Sequence, residues 1–296
     1  MSLTVLVTGA TGFLGSNLVK GLLVDNHQVI ILKRSFSKTT RIDQIISECA
    51  VYDLDRCDFS QILKDFNKIN VIIHTATCYG RNQEAISEVV ESNVIFPLKL
   101  LEMWDSKIDA FINTDTTLSE SLNSYALSKK HFLDWGKQFS QHRKIKFINL
   151  KLEHFFGEGD DSSKFVTHVI RSCLQNVKQI DLTMGEQQRD FVHIDDVVSV
   201  FDFFLKKFSD LPCNYHEFAV GSGKTISVRE LVELIHQLTA SNTILNFGTV
   251  PYRENEVMFS KANLKPLIEL GFISKSSLEN SLRKTIDFEK SFLGCL

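Results

Sequence analysis

The sequence predicts an α/β fold, a doubly wound parallel sheet followed by a smaller C-terminal α/β domain. Three observations carry this expectation. Thr4 to Val24 runs from a β-branched strand through Gly9, Gly12 and Gly15 straight into an amphipathic helix. Apolar runs at Gln28 to Lys33, Val71 to Thr75, Phe111 to Ile112 and Lys146 to Leu152 then alternate with helical stretches, as strands buried on both faces do. No internal repeat or low-complexity linker breaks the alternation, so residues 1–155 read as one Rossmann-type domain and 156–296 mainly as a second, with some segments returning to the first.

Each element has a local reason. A strand that ends in glycines and turns into a helix aims unpaired N–H groups and the positive end of the helix dipole outward, a place that suits a pyrophosphate. Gly9 permits the tight turn, Gly12 lets backbone approach the phosphates, and Gly15 lets the helix pack on the sheet, with Thr11, Phe13 and Leu14 between them. The spacing is Gly-x-x-Gly-x-x-Gly, not the commoner Gly-x-Gly-x-x-Gly, and the triplet alone is also compatible with an ordinary βα turn.

The second strand ends in Lys33, Arg34 and Ser35 where this class of site usually has a carboxylate for the ribose 2′-hydroxyl. Two cations and a hydroxyl suit a 2′-phosphate, which favours NADP(H) over NAD(H). A third strand around Cys49 to Tyr52 leads to Asp53 and Leu54, placed for the adenine amino group and ring. Val71 to Thr75 is the fourth, followed by Ala76 and Thr77 as small residues where backbone passes close to the cofactor, with Thr75 and Ala76 among the cofactor contacts. A helix from about Gln83 to Trp104 carries Asn93, and the fifth strand ends in Asn113-Thr114-Asp115-Thr116-Thr117, at the edge where open α/β sheets bind ligands.

The chemical centre is Tyr125-Ala-Leu-Ser-Lys129. Tyrosine and lysine four apart share one helix face. A phenol with a pKa of about 10 is a poor acid at neutral pH, and a neighbouring ammonium is expected to lower that value. The pair then passes a proton to or from a sugar or alcohol oxygen, with Thr116 as a second donor and Lys129 also placed to hold ribose hydroxyls.

Bulk composition narrows the classes. The 296 residues are 43% hydrophobic, enough for a full core, and the net charge of −3 argues against nucleic acid or a membrane surface as the main partner. No apolar run reaches the roughly 18 residues of a span, and the cytosol is the default compartment. Six scattered cysteines, Cys49, Cys57, Cys78, Cys173, Cys213 and Cys295, read as thiols, and neither they nor the nine histidines show ligand spacing for a metal.

With these residues in order, the chain resembles the extended short-chain dehydrogenase/reductases, the nucleotide-sugar epimerases, dehydratases and reductases. The motifs are Thr8 to Gly15, Asp53-Leu54, His74-Thr75-Ala76, Asn93, Thr116 and Tyr125/Lys129, then Gln188 to Asp196, Val220 to Val228 and Arg253 to Glu256. The resemblance implies that the C-terminal domain binds a nucleotide-sugar: Arg189 and Arg253 clamp its diphosphate, Glu256 takes ribose hydroxyls, and His154 lines the diphosphate and sugar. A homodimer is implied as well, through the helices Gln83 to Trp104 and Asn123 to Gln141, with Phe132, Leu133, Trp135 and Phe139 facing either a partner or the sheet. Sugar 4,6-dehydratases carry Thr-Asp-Glu where this chain has Thr116-Thr117-Leu118, which speaks against dehydration. The loop between Thr116 and Tyr125 is shorter than usual for the family.

Finer likeness lies with the reductases of CDP-linked 4-keto-3,6-dideoxyhexoses that serve surface polysaccharide synthesis. Cys78-Tyr79-Gly80-Arg81, Asn113-Thr114-Asp115, Lys151 to Gly157, Gly185 to Phe191 and Asn255 to Ser260 carry it, and it puts Tyr79 and Arg81 among the substrate contacts. The implied reaction is NADPH-dependent reduction of the 4-keto group. A 4-epimerase with bound NAD and a non-catalytic NADP-binding protein are the alternatives.

Overall fold

The computed structural model describes residues 2–57, 59–66, 68–104, 107–143, 145–212, 214–274 and 276–294. Cys213 and Cys295, two of the cysteines read as thiols, lie outside the described residues. The chain packs as two units, Met1–Lys151 with Val198–Phe218, and Leu152–Val197 with Ala219–Leu296. The sequence places the division at 155; packing places it at Lys151, and Val198–Phe218 is the returning segment.

In chain order the elements are β1 (Thr4–Thr8), α1 (Phe13–Val24), β2 (Gln28–Lys33), β3 (Ala50–Asp53), α2 (Phe59–Asp65), β4 (Ile69–His74), α3 (Ile86–Val90), a π turn (Glu91–Ile95) and α4 (Phe96–Met103). Next come β5 (Ile108–Thr116), α5 (Ser124–His142), β6 (Lys146–Leu152), β7 (His154–Phe156), α6 (Phe165–Leu174), β8 (Gln179–Leu182), β9 (Gln188–Arg189), β10 (Phe191–His193) and α7 (Ile194–Lys207). The last are β11 (Tyr215–Val220), β12 (Ile226–Ser227), α8 (Val228–Thr239), β13 (Ile244–Phe247), α9 (Lys265–Glu269) and α10 (Leu278–Gly294). A seven-stranded parallel sheet in the order β11-β6-β5-β4-β1-β2-β3 gives the Rossmann-type architecture.

Its strands are buried on both faces because their runs are apolar throughout: Val5, Leu6, Val7, Ile30, Ile31, Ile72 and Ile73 have no exposed surface. Thr8 pairs with His74 and with Leu32, so the first, second and fourth strands end level at one edge. On β5 the side chains alternate, and Phe111, Asn113 and Asp115 share one face. That face meets α5: Phe132 lies 5.8 Å from Phe111 and from Phe147, ring to ring. Phe132 and Leu133 are therefore core residues and Phe139 packs against them, whereas Trp135 stays exposed. Of the aromatic face read as open between partner and sheet, the sheet takes all but Trp135.

The helix read from Gln83 starts later and is interrupted. Gln83 has φ +63°, outside the helical region, and Glu88 closes the true start by accepting from the Ala85 N–H at 2.9 Å. The π turn precedes Pro97, whose ring nitrogen offers no donor to continue the α ladder.

The second unit pairs β7 with β10, β9 with β12 and β8 with β13. Its core gathers Phe156, Val169 and Ile170 with Leu231, Ile235 and Leu282 from α8 and α10. Among the described residues no helix is long and apolar enough to cross a membrane.

Candidate active site

The glycine turn is locked onto the end of β4. Gly9 has φ +72°, and a Cβ there would stand 2.6 Å from the Ala76 nitrogen; at Gly15 it would stand 2.2 Å from the Gly9 carbonyl oxygen. Thr75 donates to the Thr8 carbonyl at 2.7 Å and the Ala76 N–H to the Thr8 hydroxyl at 3.3 Å. No side chain caps α1, whose N-cap is the exposed Gly12. Thr11 and Phe13 are half-buried beside it, and the Leu14 side chain is in the core, so only its backbone faces a ligand.

At the end of β2 the structure revises the reading. Lys33 is opposite Asp53 in the strand register, and its ammonium is 2.5 Å from that carboxylate. Ser35 gives both its N–H and its hydroxyl to Asp55, at 2.6 and 2.5 Å. Of the three residues read as a 2′-phosphate site, Arg34 keeps its charge on the surface, leaning over the Phe36 ring at 4.8 Å. Opposite charges on adjacent parallel strands explain the change. Leu54 packs into the core edge, and its N–H donates to the Lys33 carbonyl at 2.8 Å.

Tyr125 and Thr116 are brought together, and Lys129 follows one turn later on the helix that carries Tyr125. Asn123 caps α5 by accepting from the Ala126 N–H at 2.9 Å, which fixes the helix start just before Tyr125. The phenol is hydrogen-bonded with Thr116. Burial pushes its pKa above the ordinary value and Tyr79 and Asp115 add to that, while the Thr116 hydrogen bond and the Arg81 charge pull the other way. The expected lowering by Lys129 is thus overturned: desolvation wins, and the phenol stays neutral. Lys129 is 2% exposed, its Nζ makes no hydrogen bond, and burial lowers its pKa to about 8 against the opposing charge of Asp115.

Tyr79 and Arg81 stand beside this centre. The Tyr79 ring is 4.9 Å from the Tyr125 ring, and the Arg81 guanidinium is 5.0 Å over Tyr79. Asn93, read as a cofactor contact, holds this loop instead. Its amide oxygen accepts from the Cys78 N–H at 2.7 Å, and its NH2 donates to the Cys78 carbonyl and to Ser128, at 2.8 and 2.9 Å. It thereby links the loop carrying Tyr79 to the helix turn between Tyr125 and Lys129. Ser128 was not legible as a functional residue, since nothing in Tyr-x-x-x-Lys marks its middle positions.

In the second unit Arg189 and Glu256 form an ion pair of 2.7 Å, and the Arg253 carbonyl accepts from the Glu256 N–H at 3.1 Å. The three residues read as diphosphate and ribose contacts are therefore neighbours, with Arg253 exposed. His154 is half-exposed, 3.6 Å from the buried Glu153. Asp190, next to Arg189, accepts from the N–H groups of Ser222, Gly223 and Ala262, and so organises the loops around it.

The model of the NAD dependent epimerase/dehydratase family matches residues 5–221. The chain belongs to that family. Within it, the CDP-abequose synthase of Salmonella muenchen is 35% identical over 294 residues, covering 97% of this chain and 98% of that one. The CDP-abequose synthase of Salmonella typhimurium is 32% identical over 301 residues, with 95% and 97% covered. Among solved structures, the UDP-glucose 4-epimerase of Thermotoga maritima with UDP-glucose superposes with a TM-score of 0.86 at 22% identity, covering 98% of this chain and 100% of that one. The UDP-glucuronic acid 4-epimerase of Bacillus cereus, in complex with UDP-glucuronic acid and NAD, gives 0.85 at 21% identity, with 98% and 100% covered. These establish a nucleotide-sugar-modifying enzyme of the epimerase/dehydratase family.

The residues present fit a nicotinamide dinucleotide. The turn leaves no room for a Cβ at Gly9 or Gly15 and carries an uncapped helix N-terminus, as a pyrophosphate cradle requires. A buried ammonium without a partner is costly unless something bound supplies acceptors, and ribose hydroxyls are such acceptors.

Proposed function

We propose that the protein is an NADPH-dependent 4-ketoreductase of a CDP-linked 4-keto-3,6-dideoxyhexose, giving a CDP-paratose- or CDP-abequose-type product for surface polysaccharide synthesis. The observation that carries this reading is the neutral Tyr125 phenol, hydrogen-bonded with Thr116 one helix turn from an unpaired buried ammonium. Reduction of a ketone needs a proton donor, and burial keeps the phenol in the donor form. The bound dinucleotide supplies the hydride. Tyr125 gives its proton to the C4 oxygen as negative charge develops there, Thr116 donates a second hydrogen bond to that oxygen, and Lys129 stabilises the resulting phenolate. Arg189 and Arg253 supply guanidinium groups for the diphosphate, Glu256 takes ribose hydroxyls, and Tyr79, Arg81 and His154 border the sugar. The protein works in the cytoplasm as a homodimer.

The Lys33–Asp53 pair favours a second reading, a 4-epimerase with bound NAD, because it removes one cation from the 2′-phosphate site. One experiment separates the two. The protein is incubated with CDP-4-keto-3,6-dideoxyglucose and either NADPH or NADH, nicotinamide absorbance is followed, and the product is identified by NMR. Stoichiometric NADPH oxidation with a 4-hydroxy product supports the reductase; no oxidation with this ketone, together with inversion at C4 of a 4-hydroxy nucleotide-sugar incubated without added cofactor, supports the epimerase.

A further inference from the structure

We propose that Asn149 is a positioning residue: its buried amide, set between the carboxylates of Asp115 and Glu217, fixes the end of β5 and with it the Thr116 hydroxyl. β5, β6 and β11 are neighbours in the sheet, and each places polar side chains where apolar ones would be ordinary for strands covered on both faces. Asn113 and Asn149 have no exposed surface, and Asp115 is buried. Burying an amide or a carboxylate is costly unless it is hydrogen-bonded, so each group here needs its partners. Asn149 is the hub. Its amide oxygen accepts from Asn113 at 2.8 Å, and its NH2 donates to Asp115 at 2.9 Å and to Glu217 at 3.2 Å. A carboxylate only accepts, so the two flanking acids dictate which way round the amide sits. Glu217 is anchored in turn by Lys151 at 2.8 Å and by the Tyr215 hydroxyl.

The ladder ends on Thr116. The other Asp115 oxygen accepts from the Thr116 N–H at 2.8 Å, at the residue where the strand stops. The Thr116 hydroxyl accepts from the Leu118 N–H at 3.2 Å, which leaves its own hydrogen to donate. The backbone at Thr116 therefore sets where that hydrogen points, and Asp115 holds the backbone while Asn149 holds the carboxylate. Without the amide, the carboxylate is free to turn about its side-chain torsions and the strand end loses its anchor. A donor displaced by about an ångström from its working position is costly in turnover. The kinetic consequence rests on the reductase reading; the placement of Thr116 does not.

The test reads the strand end directly. In protein labelled with 15N-threonine, the Thr116 amide signal is assigned by its loss in Thr116→Ala. Its proton, downfield while it donates to a carboxylate, should move upfield in Asn149→Leu, which keeps the size of the side chain and removes its donors. An unmoved signal in the folded variant overturns the proposal. Turnover supplies the second readout. Thr116→Ala should lower kcat by about 100-fold and Asn149→Leu by about 10-fold, with KM for the nucleotide-sugar within about twofold, and the double variant should fall by about 100-fold, no further than Thr116→Ala alone. A double variant about 1,000-fold down shows Asn149 acting independently of Thr116 and overturns the proposal. If Asn149→Leu does not fold, Asn149→Ala, which leaves room for water beside the two acids, is read in the same way with the same deciding outcomes. A Thr116 signal that moves as expected in a protein that oxidises no NADPH sinks the reductase reading alone.

Discussion

Lys129 in the first unit and His193 in the second are both buried cations, and their neighbours treat them oppositely. His193 lies between two carboxylates, with Nε2 3.0 Å from Glu158 and Nδ1 3.4 Å from Asp195, and Lys284 bridges the same two acids at 3.0 and 2.6 Å. Burial alone would lower the imidazole pKa, but those hydrogen bonds and charges overcome it and raise the value to about 9. Among the described residues Lys129 feels the charge of Asp115 and makes no hydrogen bond, and burial lowers its pKa to about 8. A saturated cluster spends its charge on holding β10, α7 and α10 together. An unsaturated one leaves charge to be used on something that binds, so partner count separates a cation spent on packing from one available to a ligand.

Variants can break this contrast. The largest effect belongs to the residue that uses the unpaired charge: Tyr125→Phe should lower turnover by about 10³-fold, near 4 kcal/mol, while dinucleotide binding measured by fluorescence stays within about twofold. Near-normal turnover would remove the phenol from its role.

His193→Gln should cost about 3 kcal/mol of stability in urea denaturation, because Glu158 and Asp195 lose the charge they surround. Lys129→Met should do the reverse, destroying activity while changing Tm by no more than about 2 °C, since among the described residues no group hydrogen-bonds this ammonium and the Asp115 charge only partly opposes the cost of burying it. A larger drop in Tm for that variant would mean that Lys129 has a structural partner after all.

The smallest effect is on pH dependence, and it has opposite signs at the two sites. The His193 cluster's stabilisation is complete below the ordinary histidine value of 6.5 and fades as pH rises toward 9. Glu158, whose pKa falls to about 2 because its bonds to His193, backbone and Lys284 outweigh desolvation, contributes above 4.5 and is lost as pH falls toward 2. The Lys129 penalty is complete below pH 8 and is relieved as pH rises toward 10.5. Urea midpoints across pH 6 to 10 should therefore fall less steeply in His193→Gln and more steeply in Lys129→Met than in the unaltered protein.

Local pattern determined much of this protein. The glycine turn, the apolar strands and the four-residue step from Tyr125 to Lys129 follow from steric and periodic rules within a few residues, so the sheet and the helix face shared by Tyr125 and Lys129 were legible before any coordinates. Tertiary structure decided what those residues do to one another. Lys33 meets Asp53 twenty positions on, Asn93 grips a loop fifteen positions back, and Asp115 accepts from Asn149, thirty-four positions on. Spacing fixes which face a side chain occupies, but its charge state depends on desolvation and on partners folded in from distant strands, and those exist only once the sheet has closed beneath the helix.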